Sequence, residues 1–273
     1  MVLADVVVAG GMRDRLRRAI LRRVDGAAAP PDPSRWVRAT GRMLSKRGAL
    51  RRRARFGLLD PLGLPARGAR CLEIGPGRGY ELLNLSRLGW QAVGLEFDPV
   101  AAAVAEETSG CEVFGGQLGD APWPAETFDL IYASHVFEHL LDPLDALSEL
   151  WTLLRPGGQL VLVYPNPRSL CARAFGSLAV TWDPPRHIFL APRRAVHDCL
   201  TRIGFSGVRV VGLARYAYGY AGWARERRSP MPRVGRWLTP GIARAVEVVG
   251  DAVGLDVGEE LLVTARRPGL EAT

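Results

Sequence analysis

The chain has 273 residues, 48% of them hydrophobic, with a mean hydropathy near zero (+0.03). This length and composition indicate a globular protein with a full core and exclude a chain that is too polar to fold. No apolar run reaches the length of a transmembrane helix. The four cysteines, at positions 71, 111, 171 and 199, form no CxxC pair, so we expect reduced thiols, a cytoplasmic location and no metal site.

The positive charge is concentrated at the N-terminus. Residues 1–70 contain 17 Lys and Arg against 5 Asp and Glu, whereas the remainder of the chain contains 19 against 23. Residues 12–24 repeat an apolar side chain every fourth position, which predicts an amphipathic helix. We interpret 1–65 as a basic, helical extension. It is either a solvated packing arm or, through 12–56, a peripheral contact with a membrane or another anionic surface. Nucleic acid is a less favoured partner because few aromatic residues are available for base stacking.

After Pro65 the sequence alternates between short apolar runs and helix-like stretches, which is typical of an α/β fold with a mainly parallel sheet. The predicted strands are 70–74, 91–96, 111–114, 127–133, 159–164, 207–212 and 259–266. The predicted helices are 81–88, 99–108, 142–154 and 191–203. Residues 155–158 are predicted to form a turn. We expect one domain over 66–273, with acceptor-binding inserts at 166–190 and 215–258.

The first strand leads directly into a glycine-rich turn, Gly75-Pro76-Gly77-Arg78-Gly79, and a helix-like stretch follows. Glycines let the backbone approach a ligand closely, and a helix N-terminus offers unpaired N–H groups. A dinucleotide fingerprint would place the third glycine one residue later, and Glu73 would repel a pyrophosphate. A carboxylate before the turn suits a ligand with a cation instead, and Glu96 is placed to accept hydrogen bonds from ribose hydroxyls. A nicotinamide dehydrogenase is therefore disfavoured.

Several further motifs accompany this turn in the same order and at the same spacing as in a known family. They are Val93-Gly94-Leu95-Glu96, Phe128-Asp129-Leu130-Ile131, His135-Val136-Phe137-Glu138-His139-Leu140 and Leu154-Arg155-Pro156-Gly157-Gly158. With these motifs, residues 68–267 resemble the class I S-adenosylmethionine-dependent methyltransferases. The segment around Trp182 and His187 is similar to a small-molecule branch that includes the ubiquinone-biosynthesis-type O-methyltransferases.

The resemblance implies an α/β, Rossmann-like sheet of seven strands in the order 3-2-1-4-5-7-6, with strand 7 antiparallel and helices on both faces. It also implies S-adenosyl-L-methionine as the cofactor. The cofactor-binding residues that it implies are Glu73, Gly75, Gly77, Gly79, Glu96, Phe97, Gln117, Leu118 and Ser134. In this assignment the glycines and Glu73 contact the amino acid end, Glu96 holds the ribose, and Gln117 lies at the adenine edge, where many relatives have an acid.

The resemblance further implies an enzyme that methylates a small molecule, such as a hydroxyl of a glycan, a quinone or polyketide-like compound, or another secondary metabolite. A hydroxyl acceptor needs a base. His187, in the loop after strand 5, and His135, at the end of strand 4, are the best-placed histidines for that role, whereas we interpret His139 as a packing or capping residue. Aromatic residues such as Tyr164 and Phe189 would form pocket walls or simply pack. Two alternatives stay open: a methyltransferase acting on RNA or membrane lipid through the basic arm, and a non-catalytic cofactor-binding protein.

Overall fold

The computed structural model describes residues 65–213, 250 and 257–269. The chain divides into two units at Pro65, and the description that follows concerns the second one, Ala66–Thr273. The helices predicted within 12–56 and most of the insert predicted over 215–258 lie outside the described residues. Within the described ranges, no helix is both long and apolar enough to cross a bilayer.

Seven strands form one mixed sheet in the order β3-β2-β1-β4-β5-β7-β6. Their bounds are β1 Arg70–Ile74, β2 Gln91–Glu96, β3 Val113–Gly115, β4 Phe128–Ser134, β5 Leu154–Pro165, β6 Ser206–Leu213 and β7 Glu260–Arg266. Strands β1 to β5 pair in parallel, and β7 runs antiparallel between β5 and β6. Strand order and direction confirm the fold that the sequence predicts.

Five helices of the described residues surround the sheet, and three of them begin at a side-chain cap. Their bounds are α1 Tyr80–Arg87, α2 Pro99–Ser109, α3 Pro143–Leu153, α4 Leu170–Phe175 and α5 Arg193–Ile203. The Asp98 carboxylate accepts the Val100 N–H at 2.8 Å. Asp142 accepts the N–H groups of Leu144 and Asp145 at 3.1 and 3.0 Å. Each of these two helices also has a proline at its first position, where the missing N–H costs nothing.

The turn predicted over residues 155–158 is wrong, because these residues belong to a longer β5. Leu154 pairs with Phe128, and the register then shifts before Gln159 pairs with Leu130. The intervening residues form a bulge, which is where a β-strand tolerates the Pro-Gly-Gly sequence. Arg155 anchors this bulge through an ion pair of 3.0 Å with Asp129.

The central strands are buried and supply the hydrophobic core. Phe128, Tyr132 and Tyr164 are among its largest fully buried side chains. The Tyr164 hydroxyl donates to the Ala191 carbonyl at 3.1 Å, and the Phe189 ring packs on Phe137 with centroids 5.2 Å apart. Tyr164 therefore packs in the core, which is one of the two roles that the sequence left open for it.

Candidate active site

The glycine turn after β1 requires glycine for two separate reasons. Gly75, Gly77 and Gly79 have φ values of 65°, 55° and 76°, which side chains rarely adopt. A Cβ at Gly75 would lie 2.4 Å from Val136 Cγ2, and one at Gly79 would lie 2.4 Å from the Ala105 carbonyl oxygen. At Gly77, no atom of the described part of the chain lies within 4 Å of that position. The turn is therefore packed tightly against the protein at both ends and leaves open space at its middle, where a ligand has room.

Two carboxylates flank this turn. Glu73, at the end of β1, is 3% exposed, and its Oε2 has no hydrogen-bond partner among the described residues. Burial, and then the charge of Glu81, raise the pKa of Glu73 to about 8. Glu96, at the end of β2, accepts the Gly77 N–H at 3.3 Å through Oε2. A ligand's ammonium group would give the buried Glu73 oxygen a hydrogen-bond donor, and a ligand's hydroxyls would be able to donate to Glu96.

The other cofactor-binding residues that the sequence suggests lie near the carboxyl ends of β2 to β4, at the edge where open α/β sheets bind ligands. Phe97 directly follows β2 and is 72% exposed. Gln117 is exposed and Leu118 is half-buried in a short turn after β3. The Gly116 N–H donates to the Glu96 carbonyl at 2.9 Å, which ties this turn to the end of β2. Ser134 is the last residue of β4.

His135, which follows β4, is held between two carboxylates. It has the left-handed φ of 58°, which is uncommon for a residue other than glycine. Its Nδ1 lies 3.2 Å from Glu138 Oε1, and its Nε2 lies 2.8 Å from Glu260 Oε1. Burial lowers the pKa of His135, but the hydrogen bonds and charges of the two acids outweigh it and raise the pKa to about 9.

At neutral pH His135 is therefore an imidazolium whose two N–H groups each donate to a carboxylate. Such a ring has no lone pair with which to accept a proton from a substrate. Between the two histidines that the sequence suggests as bases, the geometry favours His187.

His187 and His139 each have one ring nitrogen fixed by a backbone carbonyl. His187 Nδ1 lies 2.7 Å from the Thr181 oxygen, and His139 Nδ1 lies 2.7 Å from the Arg186 oxygen. A carbonyl only accepts, so Nδ1 carries the hydrogen in both rings, and Nε2 of the neutral ring keeps its lone pair. The two rings lie 5.1 Å apart between centroids.

Backbone hydrogen bonds explain how residues so distant in sequence meet here. The Glu138 carbonyl accepts the N–H groups of Ile188 at 2.9 Å and Phe189 at 3.3 Å. The His187 N–H donates to the Asp183 carbonyl at 3.2 Å. The loop before α5 is thereby attached to the turn Phe137–His139 after β4.

A family model described as a methyltransferase domain matches residues 30–210. The chain belongs to the class I S-adenosylmethionine-dependent methyltransferases. The glycine turn and its two flanking acids fit the cofactor of this family, because the turn leaves room at Gly77 and Glu73 presents a buried oxygen that has no hydrogen-bond partner among the described residues.

Two curated relatives illustrate the range of enzymes that this methyltransferase resembles. A ubiquinone biosynthesis O-methyltransferase of Ruegeria pomeroyi is 34% identical over 52% of this chain and 64% of that protein. A tRNA U34 carboxymethyltransferase of Methylococcus capsulatus is 34% identical over 55% of this chain and 48% of that protein. The chain spans about half the length of the curated relatives it matches.

Solved structures share the fold of the methyltransferase at low identity. A SAM-dependent methyltransferase from Archaeoglobus fulgidus superposes with a TM-score of 0.53 at 18% identity, over 77% of this chain and 90% of that one. The phosphoethanolamine N-methyltransferase 2 of Haemonchus contortus, solved with S-adenosyl-L-methionine, has a TM-score of 0.54 at 16% identity, over 77% of this chain and 51% of that one.

The sequence did not assign a role to the two acids that hold His135. Glu138 belongs to the motif that follows β4, and Glu260 is the first residue of β7. Both side chains are fully buried. One signal was available: two consecutive acids, Glu259 and Glu260, stand directly before the apolar run of β7, which is unusual for a strand buried on both faces.

We expect Glu73→Gln to remove part of the pH dependence of stability in this methyltransferase. The pKa of Glu73 is about 8 in the folded chain and near 4.5 in the unfolded one, so the folded state binds more protons between these pH values. Its contribution to stability is complete below pH 4.5 and is lost as pH rises through about 8. At about pH 8.5 the variant should be more stable than the native chain by up to about 4 kcal/mol. Urea unfolding between about pH 5 and 9 measures this difference, and parallel pH profiles of the two proteins would contradict it.

Proposed function

We propose that this chain transfers a methyl group from S-adenosylmethionine to a hydroxyl oxygen of a small-molecule acceptor. Acceptors of the proposed class are glycans, quinone or polyketide-like compounds and other secondary metabolites. The observation that carries the proposal is the placement of the His187 ring just beyond the carboxyl edge of β4. Its Nδ1 contacts the Thr181 carbonyl, which leaves the lone pair on Nε2. The O-methyltransferases among the relatives also support it.

The chain's residues would hold the cofactor along the carboxyl edge of β1 to β4. In this assignment the open face of Gly77 receives the methionine portion and the Glu73 carboxylate pairs with its ammonium group. Glu96 releases the Gly77 N–H and accepts the ribose hydroxyls instead, while Phe97, with its exposed ring, covers the adenine. Because the leaving group of the donor is already activated, aligning donor and acceptor in this way accounts for much of the rate acceleration.

The chemistry that remains for the protein is proton transfer. When bound, S-adenosylmethionine supplies a methyl carbon whose bond to a cationic sulfur breaks with the electron pair left on sulfur. As the new oxygen–carbon bond forms, the acceptor's oxygen–hydrogen bond breaks, and we assign His187 to the removal of that proton. His135, as an imidazolium between Glu138 and Glu260, would fix the turn after β4 rather than react.

The test is transfer of a radiolabelled methyl group with the full chain. Phenols, catechols, glycosides, RNA and phospholipid vesicles would each be offered with labelled S-adenosylmethionine. The proposal predicts label in a small hydroxylated compound. Label only in RNA or lipid would replace the proposal with the macromolecular alternative, and bound but unconsumed cofactor across the panel would favour a non-catalytic binding protein.

A macromolecular acceptor is the second candidate, favoured by the basic N-terminal region and by the tRNA-modifying relative. Replacement of Arg51, Arg52 and Arg53 by glutamine in the full chain separates the two. Small-molecule turnover should be unchanged, whereas binding to RNA or anionic vesicles should weaken and lose salt dependence.

The proposal includes the division into a basic extension, 1–65, and a catalytic domain, 66–273. It also includes a cytoplasmic location, which is supported by four cysteines that are all free thiols.

A further inference from the structure

Three side chains beside the proposed acceptor site converge on one point. Glu138, His139 and His187 each offer a ligand atom, and these atoms all lie within 4.8 Å of one another. Glu138 and His139 come from the turn after β4, and His187 comes from the loop before α5. The lack of paired cysteines predicts no metal site, but that prediction does not apply to these three side chains, none of which is a cysteine.

Both imidazoles are arranged as metal ligands usually are. A metal-binding histidine typically donates its other ring N–H to a carboxylate or backbone carbonyl, which fixes the tautomer and the ring orientation. His139 and His187 each make this contact through Nδ1, at 2.7 Å, with the carbonyl oxygens of Arg186 and Thr181. In each neutral ring, the Nε2 lone pair is left to bind a cation.

The carboxylate provides an independent indication. Glu138 is fully buried, yet its Oε2 has no hydrogen-bond partner in the described part of the chain. Burying a carboxylate oxygen that accepts no hydrogen bond costs free energy, and coordination of a metal ion would offset that cost. Its Oε1 lies 3.9 Å from His187 Nε2, which is too long for a hydrogen bond but close to the separation of two ligands on one ion.

We propose that Glu138, His139 and His187 bind a divalent transition-metal cation, with zinc as the best-matched ion. Two imidazole nitrogens and one carboxylate oxygen form a ligand set that zinc takes at about 2.0–2.2 Å. Such bond lengths place the ligand atoms about 3–3.5 Å apart, so these atoms, which lie within 4.8 Å of one another here, would move closer together when the cation binds. Three protein ligands leave a position open for a further oxygen.

The role of this cation rests on the proposed function, whereas its binding does not. An acceptor hydroxyl in the open position would lose its proton to water more readily, because the cation stabilises the resulting oxyanion. Because the cation would occupy its Nε2 lone pair, His187 would then act as a ligand rather than as the base, and His139 would become as important to turnover as His187.

The test is titration of the chelator-treated full chain with Co²⁺ as a spectroscopic substitute and with Zn²⁺ in competition. We expect one Co²⁺ per chain, with visible absorption bands that Zn²⁺ removes. His139→Ala, at an exposed position, should weaken Co²⁺ binding on the order of 100-fold. His197→Ala is the matched control, because His197 is an exposed histidine whose Nδ1 lies 3.1 Å from Asp198.

Equal Co²⁺ affinity in the native chain, His139→Ala and His187→Ala would overturn the proposal, as would the absence of absorption bands. Binding of S-adenosylhomocysteine is measured in the same samples. Absence of metal binding by the native chain, with cofactor binding retained, refutes only the metal site, whereas metal binding without cofactor binding refutes the proposed function and leaves the site standing.

Discussion

Replacing Gly79 by alanine is expected to lower the free energy of unfolding by about 3 kcal/mol and to weaken S-adenosylhomocysteine binding at least about tenfold. Gly79 has a φ of 76° and precedes the first residue of α1. A side chain there pays the left-handed penalty of about 1–2 kcal/mol. It also meets the Ala105 carbonyl oxygen at 2.4 Å, which is backbone and cannot move without shifting α2. Urea unfolding and calorimetric titration measure the two effects.

Gly77→Ala is the matched control for this prediction. Gly77 shares the left-handed conformation, with a φ of 55°, but no atom of the described residues lies within 4 Å of a Cβ placed there. Its cost in stability should therefore be only the backbone penalty of about 1–2 kcal/mol. Equal losses of stability in the two variants would show that close packing against α2 does not determine the requirement at Gly79.

His187→Ala is expected to reduce methyl transfer by a factor of about 10² to 10⁴ while leaving the affinity for S-adenosylhomocysteine unchanged. His187 lies in the loop before α5, whereas the groups assigned to the cofactor lie in and after β1 to β4. The side chain keeps 11% of its surface exposed, and its main contact is the Thr181 carbonyl, so its loss should leave the fold intact. Single-turnover transfer with the acceptor found in the panel measures the rate.

His197→Ala serves as the control for this measurement as well, since it removes an exposed imidazole on α5 outside the site. Unchanged transfer in His187→Ala would remove this residue from the chemistry. A loss of transfer that is accompanied by an equal loss of cofactor affinity would show instead that the loop supports the cofactor site.

The sequence predicted the part of the site that is local in the chain. The apolar run 70–74 ends at the glycine turn, and the structure gives β1 these bounds because Gly75 ends the strand with a positive φ. Glu96 could likewise be placed at the end of the predicted second strand, and it does contact the turn. The strand, the turn and the flanking acid could each be predicted because each depends on residues a few positions away in the chain.

The contacts around His135 could not be predicted in this way. Glu260 reaches the ring only because β7 enters the sheet antiparallel beside β5, where it pairs with Pro165. The position of His187 similarly depends on two hydrogen bonds from the following residues to the Glu138 carbonyl. Both arrangements result from tertiary packing between distant segments. The charge state of His135, and with it the choice between the two candidate bases, therefore required the structure.

Calorimetric titration of the full chain with S-adenosylhomocysteine, and separately with NAD, tests whether the glycine turn and its flanking acids bind the methyltransferase cofactor. We expect one binding site per chain for S-adenosylhomocysteine, strong weakening of its binding in a Glu96→Ala variant and no binding of NAD. Binding of NAD in preference to S-adenosylhomocysteine, or unchanged affinity when Glu96 is replaced, would contradict the assignment of the glycine turn and its flanking acids as the cofactor site.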